Sequence, residues 1–258
     1  MSARIIRLLV PAVVVAFILA TPVSPRAQSP QQFASDATRY LALGDSIAAG
    51  YKSMPVTQGY AYLLYQGGVF DRIPHTLFCN AAVPGATSGH VLLHQVPQAL
   101  IPAAEGGFNP GYITLTVGGN DLLSILRFAE THPNPADVLP FAEQVLTQYG
   151  QNLGAILSQL SAGLPNAKIF VANQYEIPGI EMVVPFAGEV FNEFNAIVAQ
   201  VVGQFPGVYL VDVHAAFLGR EGLVQLERHN AGPLEVHLTS VGHRVMEQTF
   251  ADVVNMVK

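Results

Sequence analysis

Three short segments put polar or small residues directly after apolar runs. Ser46 lies in Leu43-Gly44-Asp45-Ser46-Ile47. Gly85 lies in Asn80-Ala81-Ala82-Val83-Pro84-Gly85-Ala86-Thr87-Ser88, and Asn120 in Val117-Gly118-Gly119-Asn120-Asp121. Acyl transfer needs a nucleophile, a base and hydrogen-bond donors aimed at a developing oxyanion. Ser46 offers a hydroxyl and, at the expected start of a helix, a backbone N–H. Gly85 offers an N–H that no side chain shields, and Asn120 offers a neutral amide donor. The candidate base lies far downstream, in Glu235-Val236-His237-Leu238-Thr239-Ser240-Val241-Gly242-His243. There His237 stands just ahead of an expected helix that Thr239 or Ser240 would cap. Asp45 reads as a turn-stabilising carboxylate rather than an acid or base.

The elements that must position these residues follow from the apolar pattern. Short continuous runs occur at Tyr40–Leu43, Thr76–Ala81, Tyr112–Val117, Lys168–Ala172 and Val208–Val213, each bounded by Gly, Pro, Asn or Asp. Such runs suit strands buried on both faces. Helical patterns lie between them, near Tyr60–Gly67, Ser88–Leu100, Asp137–Leu160 and Pro185–Gln204, with a last helix over Ser240–Val257. The alternation predicts parallel crossovers and a three-layer α/β sandwich. In such sheets ligands bind outside the carboxyl ends of the strands, where the Ser46, Gly85 and Asn120 turns would converge. Phe128–Pro140, with three prolines, is expected to be an irregular excursion. It and the apolar stretch Ile177–Phe186 are candidate walls of a substrate site, the latter able to hold an acyl chain or simply to pack.

Composition narrows the class. The chain has 258 residues, half of them apolar and 12% charged, enough for one domain with a large core. Arg4 and Arg7 precede an uncharged run of thirteen residues, Leu8–Ala20, followed by prolines and small residues. This predicts a signal peptide over residues 1–27, a flexible lead-in over 28–37 and one domain over 38–258. A membrane span needs about 20 apolar residues, so no stable membrane anchor is expected, and the protein should be secreted or periplasmic. Residues 1–27 contain three arginines and no acid, leaving 9 basic against 18 acidic residues in the rest. That balance excludes nucleic acid as a partner. Cys79 reads as a buried small hydrophobe. His90 and His94 are four residues apart on a helix, but no third ligand is evident, so no metal is expected. His243 should fall about two turns into the last helix, in a structural role. His214, after Asp212 at a strand end, is a minor alternative base.

Taken together, the blocks resemble a known family. Gly44-Asp45-Ser46-Ile47 is similar to the GDS(L) block of the SGNH hydrolases, Gly85 within Asn80–Ser88 to their second block, and Gly118-Gly119-Asn120-Asp121 to their GxND block. His237, Thr239 and Gly242-His243 resemble the terminal His-Pro-Thr-x-x-Gly-His block, with Leu238 in place of Pro. The blocks occur in the family's order over residues 38–257. The resemblance implies a flavodoxin-like five-stranded parallel sheet and a serine esterase or lipase. Ser46 would be its nucleophile, His237 its general base, and Ser46, Gly85 and Asn120 its oxyanion donors. It implies no cofactor, and a small-molecule or lipid ester as substrate. The family usually carries Asp three residues before the catalytic His; that position is Leu234 here. Glu235, two residues before His237, or a main-chain carbonyl would then hold the imidazole.

Rival readings remain distinguishable. An ordinary α/β-hydrolase would need a Gly-x-Ser-x-Gly elbow, and no serine has one. A nucleotide binder would need a phosphate-cradling Gly-rich loop after the first strand, which is also missing. A carbohydrate-ester deacetylase of the same class, or a non-catalytic binding module on the same fold, fits the same residues.

Overall fold

The computed structural model describes residues 38–258 apart from 74, 133, 183 and 226–235. The chain divides into Met1–Asp36 and Ala37–Lys258, and the described residues belong to the second unit. The signal peptide and lead-in expected over residues 1–37 lie outside the described residues, as do Leu234 and Glu235.

Five strands appear where the continuous apolar runs predict them: β1 (Thr38–Gly44), β2 (Thr76–Asn80), β3 (Tyr112–Thr116), β4 (Lys168–Ala172) and β5 (Val208–Val211). All pairings are parallel, in the order β2-β1-β3-β4-β5. Although nearly every residue is apolar, the two-residue period still sorts the side chains. Leu41, Leu43, Ile113, Leu115, Ile169 and Val171 enter one core, while Tyr40, Ala42, Phe170 and Ala172 enter the other. Burial on both faces is what a parallel sheet requires.

The helices, in chain order, are α1 (Ser46–Ala49), α2 (Tyr60–Gln66), α3 (Ser88–His90), α4 (Val96–Ala104), α5 (Gly119–Thr131), α6 (Pro135–Gly163), α7 (Ala187–Val202), α8 (Val213–Phe217) and α9 (Ser240–Val257). A π-helical turn, Val91–Gln95, joins α3 to α4. Helices α4 to α7 cover one face, and α1, α2, α8 and α9 the other. This is the expected three-layer sandwich with flavodoxin-like strand order. The chain leaves β1 for β2 on one side and returns to β3 on the other. A crevice therefore opens where the β1 and β3 connections diverge, and Gly44 stands level with Thr116 there. No helix among the described residues is long and apolar enough to cross a membrane.

Three expectations need correction. Phe128–Pro140 is not an excursion: α5 runs on to Thr131, and α6 begins at Pro135. Asn134 accepts from the N–H of Ala136, and Pro135 occupies the first helical position, where no N–H is needed. Cys79 is exposed, not buried. It lies on the edge strand β2, where the helices of its face leave Cys79 and its neighbour Leu77 uncovered. His243 falls in the first turn of α9, because that helix starts only three residues earlier.

Candidate active site

The turn that carries Ser46 starts at a glycine that no other residue could replace. Gly44 has φ +128°, and a Cβ there would lie 1.9 Å from the Thr116 carbonyl oxygen. This closeness lets the N–H of Asp45 donate to that oxygen at 3.0 Å. Asp45 then caps α1, its carboxylate accepting from the N–H of Ile47 at 3.0 Å, as the turn-forming reading expects. Ser46 is the first residue of α1, nearly buried, with its N–H unneeded by the helix. Burial raises the Asp45 pKa to about 7, against the opposing pull of the Ile47 N–H and the Thr116 hydroxyl.

His237 arrives from the other end of the chain. Its Nε2 lies 2.8 Å from Ser46 Oγ, across 191 residues of sequence. The segment carrying it is tethered on both sides. Tyr175, buried beyond β4, donates its hydroxyl to the Val236 carbonyl at 2.9 Å. The N–H of Gln225 donates to the His237 carbonyl at 2.7 Å, that of Thr239 to Leu223 at 2.9 Å, and Val224 bridges Leu238 antiparallel. Thr239 also caps α9 through the N–H of Gly242. A Cβ on Gly242 would lie 2.1 Å from the Leu223 carbonyl oxygen, so the Thr-x-x-Gly spacing serves both the cap and the close approach. The Tyr51 ring lies 4.8 Å from the His237 ring, tilted by 58°.

His243 is fully buried, and its Nδ1 accepts from the N–H of Tyr60 at 3.3 Å. Burial first, and then the neighbouring His237, push its pKa down to about 4. It is a neutral packing residue, as expected. His214 stands apart, its Nε2 3.1 Å from Glu176 Oε1 and its N–H on Asn173. His90 and His94 have rings 4.7 Å apart. Among the described residues no group of three or more His, Cys, Asp or Glu could hold a metal ion.

The turns of Gly85 and Asn120 are knitted together. Asn120 Nδ2 donates to the Ala86 carbonyl at 2.9 Å. Asp121 accepts from Ser88 twice, from its N–H at 2.9 Å and its hydroxyl at 2.7 Å, and Asn152 closes on the same hydroxyl. Gly85 has φ +83°, and nothing lies within 4 Å of where its Cβ would be. A substrate can therefore approach this face of the turn without meeting a side chain. The Gly85 turn reaches the Ser46 turn through the N–H of Val83, which donates to the Gly44 carbonyl at 3.0 Å.

An open cleft is bounded by Gly119, Gln174 and Val236, the first and last being neighbours of Asn120 and His237. Its walls are apolar: Leu122, Ile125 and Leu126 from α5, and Ile177, Val184 and Phe191 from the connection after β4 and from α7. From the stretch Ile177–Phe186, Ile177, Ile180, Val184 and Phe186 line this cleft. Phe128 does not, being stacked on His132 and Phe141. Sequence reasoning missed Tyr175 and Gln95, whose amide binds both backbone groups of Gly44. Neither belongs to a motif, and the one signal at Gln95 was a polar residue amid an apolar helical pattern.

This arrangement coincides with a sequence match to the GDSL-like lipase/acylhydrolase family over residues 42–245, and the chain belongs to that family. No curated protein sequence matches it. Similar folds occur in solved structures. One is phospholipase A1 from Streptomyces albidoflavus NA297, at 19% identity and TM-score 0.64, covering 86% of this chain and 100% of that one. Another is an extracellular lipase from Streptomyces rimosus, at 18% identity and TM-score 0.62, with the same coverage. A third is a psychrotrophic esterase from Pseudoalteromonas sp. that was solved with monoethylphosphonate as inhibitor. It shows 18% identity and TM-score 0.55, over 85% of this chain and 97% of that one.

Proposed function

We propose that this GDSL-family hydrolase cleaves carboxylic esters through an acyl-enzyme on Ser46, with His237 as general base. The observation that carries the reading is the 2.8 Å contact between His237 Nε2 and Ser46 Oγ. Nε2 takes the hydroxyl proton as Oγ bonds to the ester carbonyl carbon. The N–H groups of Ser46 and Gly85 and the Asn120 amide hold the oxygen that gains charge. Asn120 spends one N–H on Ala86 and has a second to offer. Collapse of the tetrahedral adduct breaks the bond to the alcohol, which leaves with the proton from His237. Water then repeats the sequence in reverse and frees the acid. The apolar cleft beside Gly119 and Val236 favours an acyl or lipid chain over a sugar.

The imidazole needs a partner that stabilises its charged form, either the Glu235 carboxylate or a main-chain carbonyl. Glu235→Gln distinguishes them: a loss of about tenfold or more assigns the carboxylate, and a loss under about threefold the carbonyl. Residues 1–27 are proposed to direct export, which N-terminal sequencing of the protein recovered outside the cell tests.

The deciding experiment is hydrolysis of p-nitrophenyl acetate, butyrate and palmitate by residues 28–258, beside Ser46→Ala. Turnover should fall by about 10⁴-fold or more in the variant, while circular dichroism and Tm stay unchanged. A folded Ser46→Ala protein with near-wild-type rates overturns the mechanism. Absence of both turnover and fluorophosphonate labelling at Ser46 points instead to a binding module.

A further inference from the structure

We infer that Gln95 is a positioning residue for the oxyanion site, standing in for strand that β2 does not supply. The inference rests on the function proposed above. β1 lies between β2 and β3, so its backbone groups pair alternately with the two neighbours. On the β2 side the ladder runs out at the level of the active site. The N–H of Ala81 still donates to Ala42, and that of Val83 to Gly44. β2 itself ends at Asn80, however, and no strand residue faces the N–H of Gly44. The Gln95 side-chain amide fills that place. Its Oε1 accepts from the N–H of Gly44 at 2.8 Å, and its Nε2 donates to the Gly44 carbonyl at 2.7 Å. An amide side chain presents one acceptor and one donor in a plane, which is what a neighbouring peptide unit would present.

The helix is shaped to deliver it. Gln95 closes the π-helical turn Val91–Gln95, in which the N–H of Val96 reaches back to Val91 rather than to Leu92. One inserted residue rotates the following side chains by about 100°. Val91, Gln95 and Val96 are all buried, Gln95 at 1% exposure. Single π turns inside helices are common at functional sites. The bonds formed here converge on one peptide unit. The Gly44 carbonyl receives both Gln95 and Val83, and Val83 also accepts from Ala86 within the turn that carries Gly85. Gln95 thereby sets the Gly44–Asp45–Ser46 turn against the Gly85 turn, and so the distance between the two main-chain N–H groups that would hold the oxyanion. Electrostatic stabilisation of this kind depends on donors fixed before the reaction begins, and a displacement of about 1 Å can cost about a hundredfold in rate.

The test uses Gln95→Met, which keeps volume but bonds neither group, and Gln95→Glu, which can regain both bonds when protonated. In Gln95→Glu a neutral carboxyl accepts from the N–H of Gly44 through its C=O and donates to the Gly44 carbonyl through its O–H. When ionised it retains the first bond and repels the carbonyl. Wild type and both variants are compared at pH 5.5 on p-nitrophenyl butyrate, each at a temperature where circular dichroism shows it folded. Gln95→Met should lose about ten- to a hundredfold in kcat with KM within about twofold. Gln95→Glu should exceed Gln95→Met at least about fivefold in kcat, because acid restores the lost bond. A folded Gln95→Met protein with kcat within about twofold of wild type, or equal kcat in the two variants at pH 5.5, overturns the inference. Ser46→Ala, run alongside, separates this failure from failure of the esterase reading: wild-type turnover that survives Ser46→Ala condemns the latter.

Discussion

Ser46, Gly85 and Asn120 stand on turns that leave three adjacent strands, β1, β2 and β3, within a few residues of their carboxyl ends. His237 stands on no such turn. It follows β5 by more than twenty residues and hangs between Tyr175 and the Leu223–Gln225 segment. The cradle is therefore part of the sheet. Its parts are held by bonds among themselves, Asn120 to Ala86, Asp121 to Ser88 and Val83 to Gly44. Among the described residues the histidine arm is tied down by bonds to other parts of the chain, Tyr175 to Val236 and Gln225 to His237 among them. The contrast teaches that one site can combine proposed donors whose geometry comes with the fold and a proposed base on a segment tied down by bonds to distant residues. Preorganised donors must not move as charge develops, whereas a base must exchange a proton with two partners in turn.

Breaking the cradle should cost most. Asn120→Ala removes the proposed oxyanion donor and also the bond to Ala86, and kcat on p-nitrophenyl butyrate should fall about a hundred- to a thousandfold. A loss below about tenfold would remove Asn120 from the oxyanion site. Breaking one tether of the arm should cost less. Tyr175→Phe deletes a single neutral hydrogen bond to Val236, a net effect of about 1 kcal/mol. The expected result is a kcat loss of about three- to tenfold with little change in KM. A Tyr175→Phe enzyme as damaged as Asn120→Ala would show that the arm is no looser than the cradle.

The remaining effect is on stability and leaves the comparison of rates untouched. Burial raises the Asp45 pKa to about 7 from an ordinary 3.8. Between those values the folded protein holds a proton there that the unfolded chain has released. Stability from this group is thus complete at low pH and is lost as pH rises through about 7. Asp45→Asn keeps an acceptor for the N–H of Ile47 and has nothing to ionise. The Tm of Asp45→Asn relative to wild type should therefore climb by about ten degrees from pH 4 to pH 8, measured by calorimetry. His243, depressed to about 4, acts with the opposite sign in the same window. It is present in both proteins and drops out of the difference. A flat difference would show that Asp45 ionises in the fold at its ordinary pKa, so that burial does not hold a proton there.

The same contrast explains what could be read in advance. Apolar runs of five or so residues, separated by helical patterns, identified all five strands, because parallel strands buried on both faces leave an unbroken apolar signature. The cradle was legible because its residues follow those runs directly, and strand ends in such a sheet converge. Gly44, Gly118 and Gly242 are required by local backbone geometry or close approach, which is why they appear as punctuation in the motifs. Phe128–Pro140 misled because proline reads as a breaker even when, as at Pro135, it sits where a helix tolerates it best. Cys79 misled because an apolar run does not reveal whether its strand lies at the edge of the sheet.

By itself the sequence determined the strand–helix alternation, the parallel sheet and the four blocks that define a GDSL-family hydrolase. Each of these depends on residues close together along the chain. Only the tertiary structure decided that His237 Nε2 meets Ser46 Oγ, that Tyr175 and Leu223 hold the arm, that Gln95 completes the ladder at Gly44, and that α5 and the chain after β4 enclose an apolar cleft. Those contacts join residues tens to hundreds of positions apart. Such pairings carry no local signature, because a buried glutamine or tyrosine looks the same in the sequence whatever it touches.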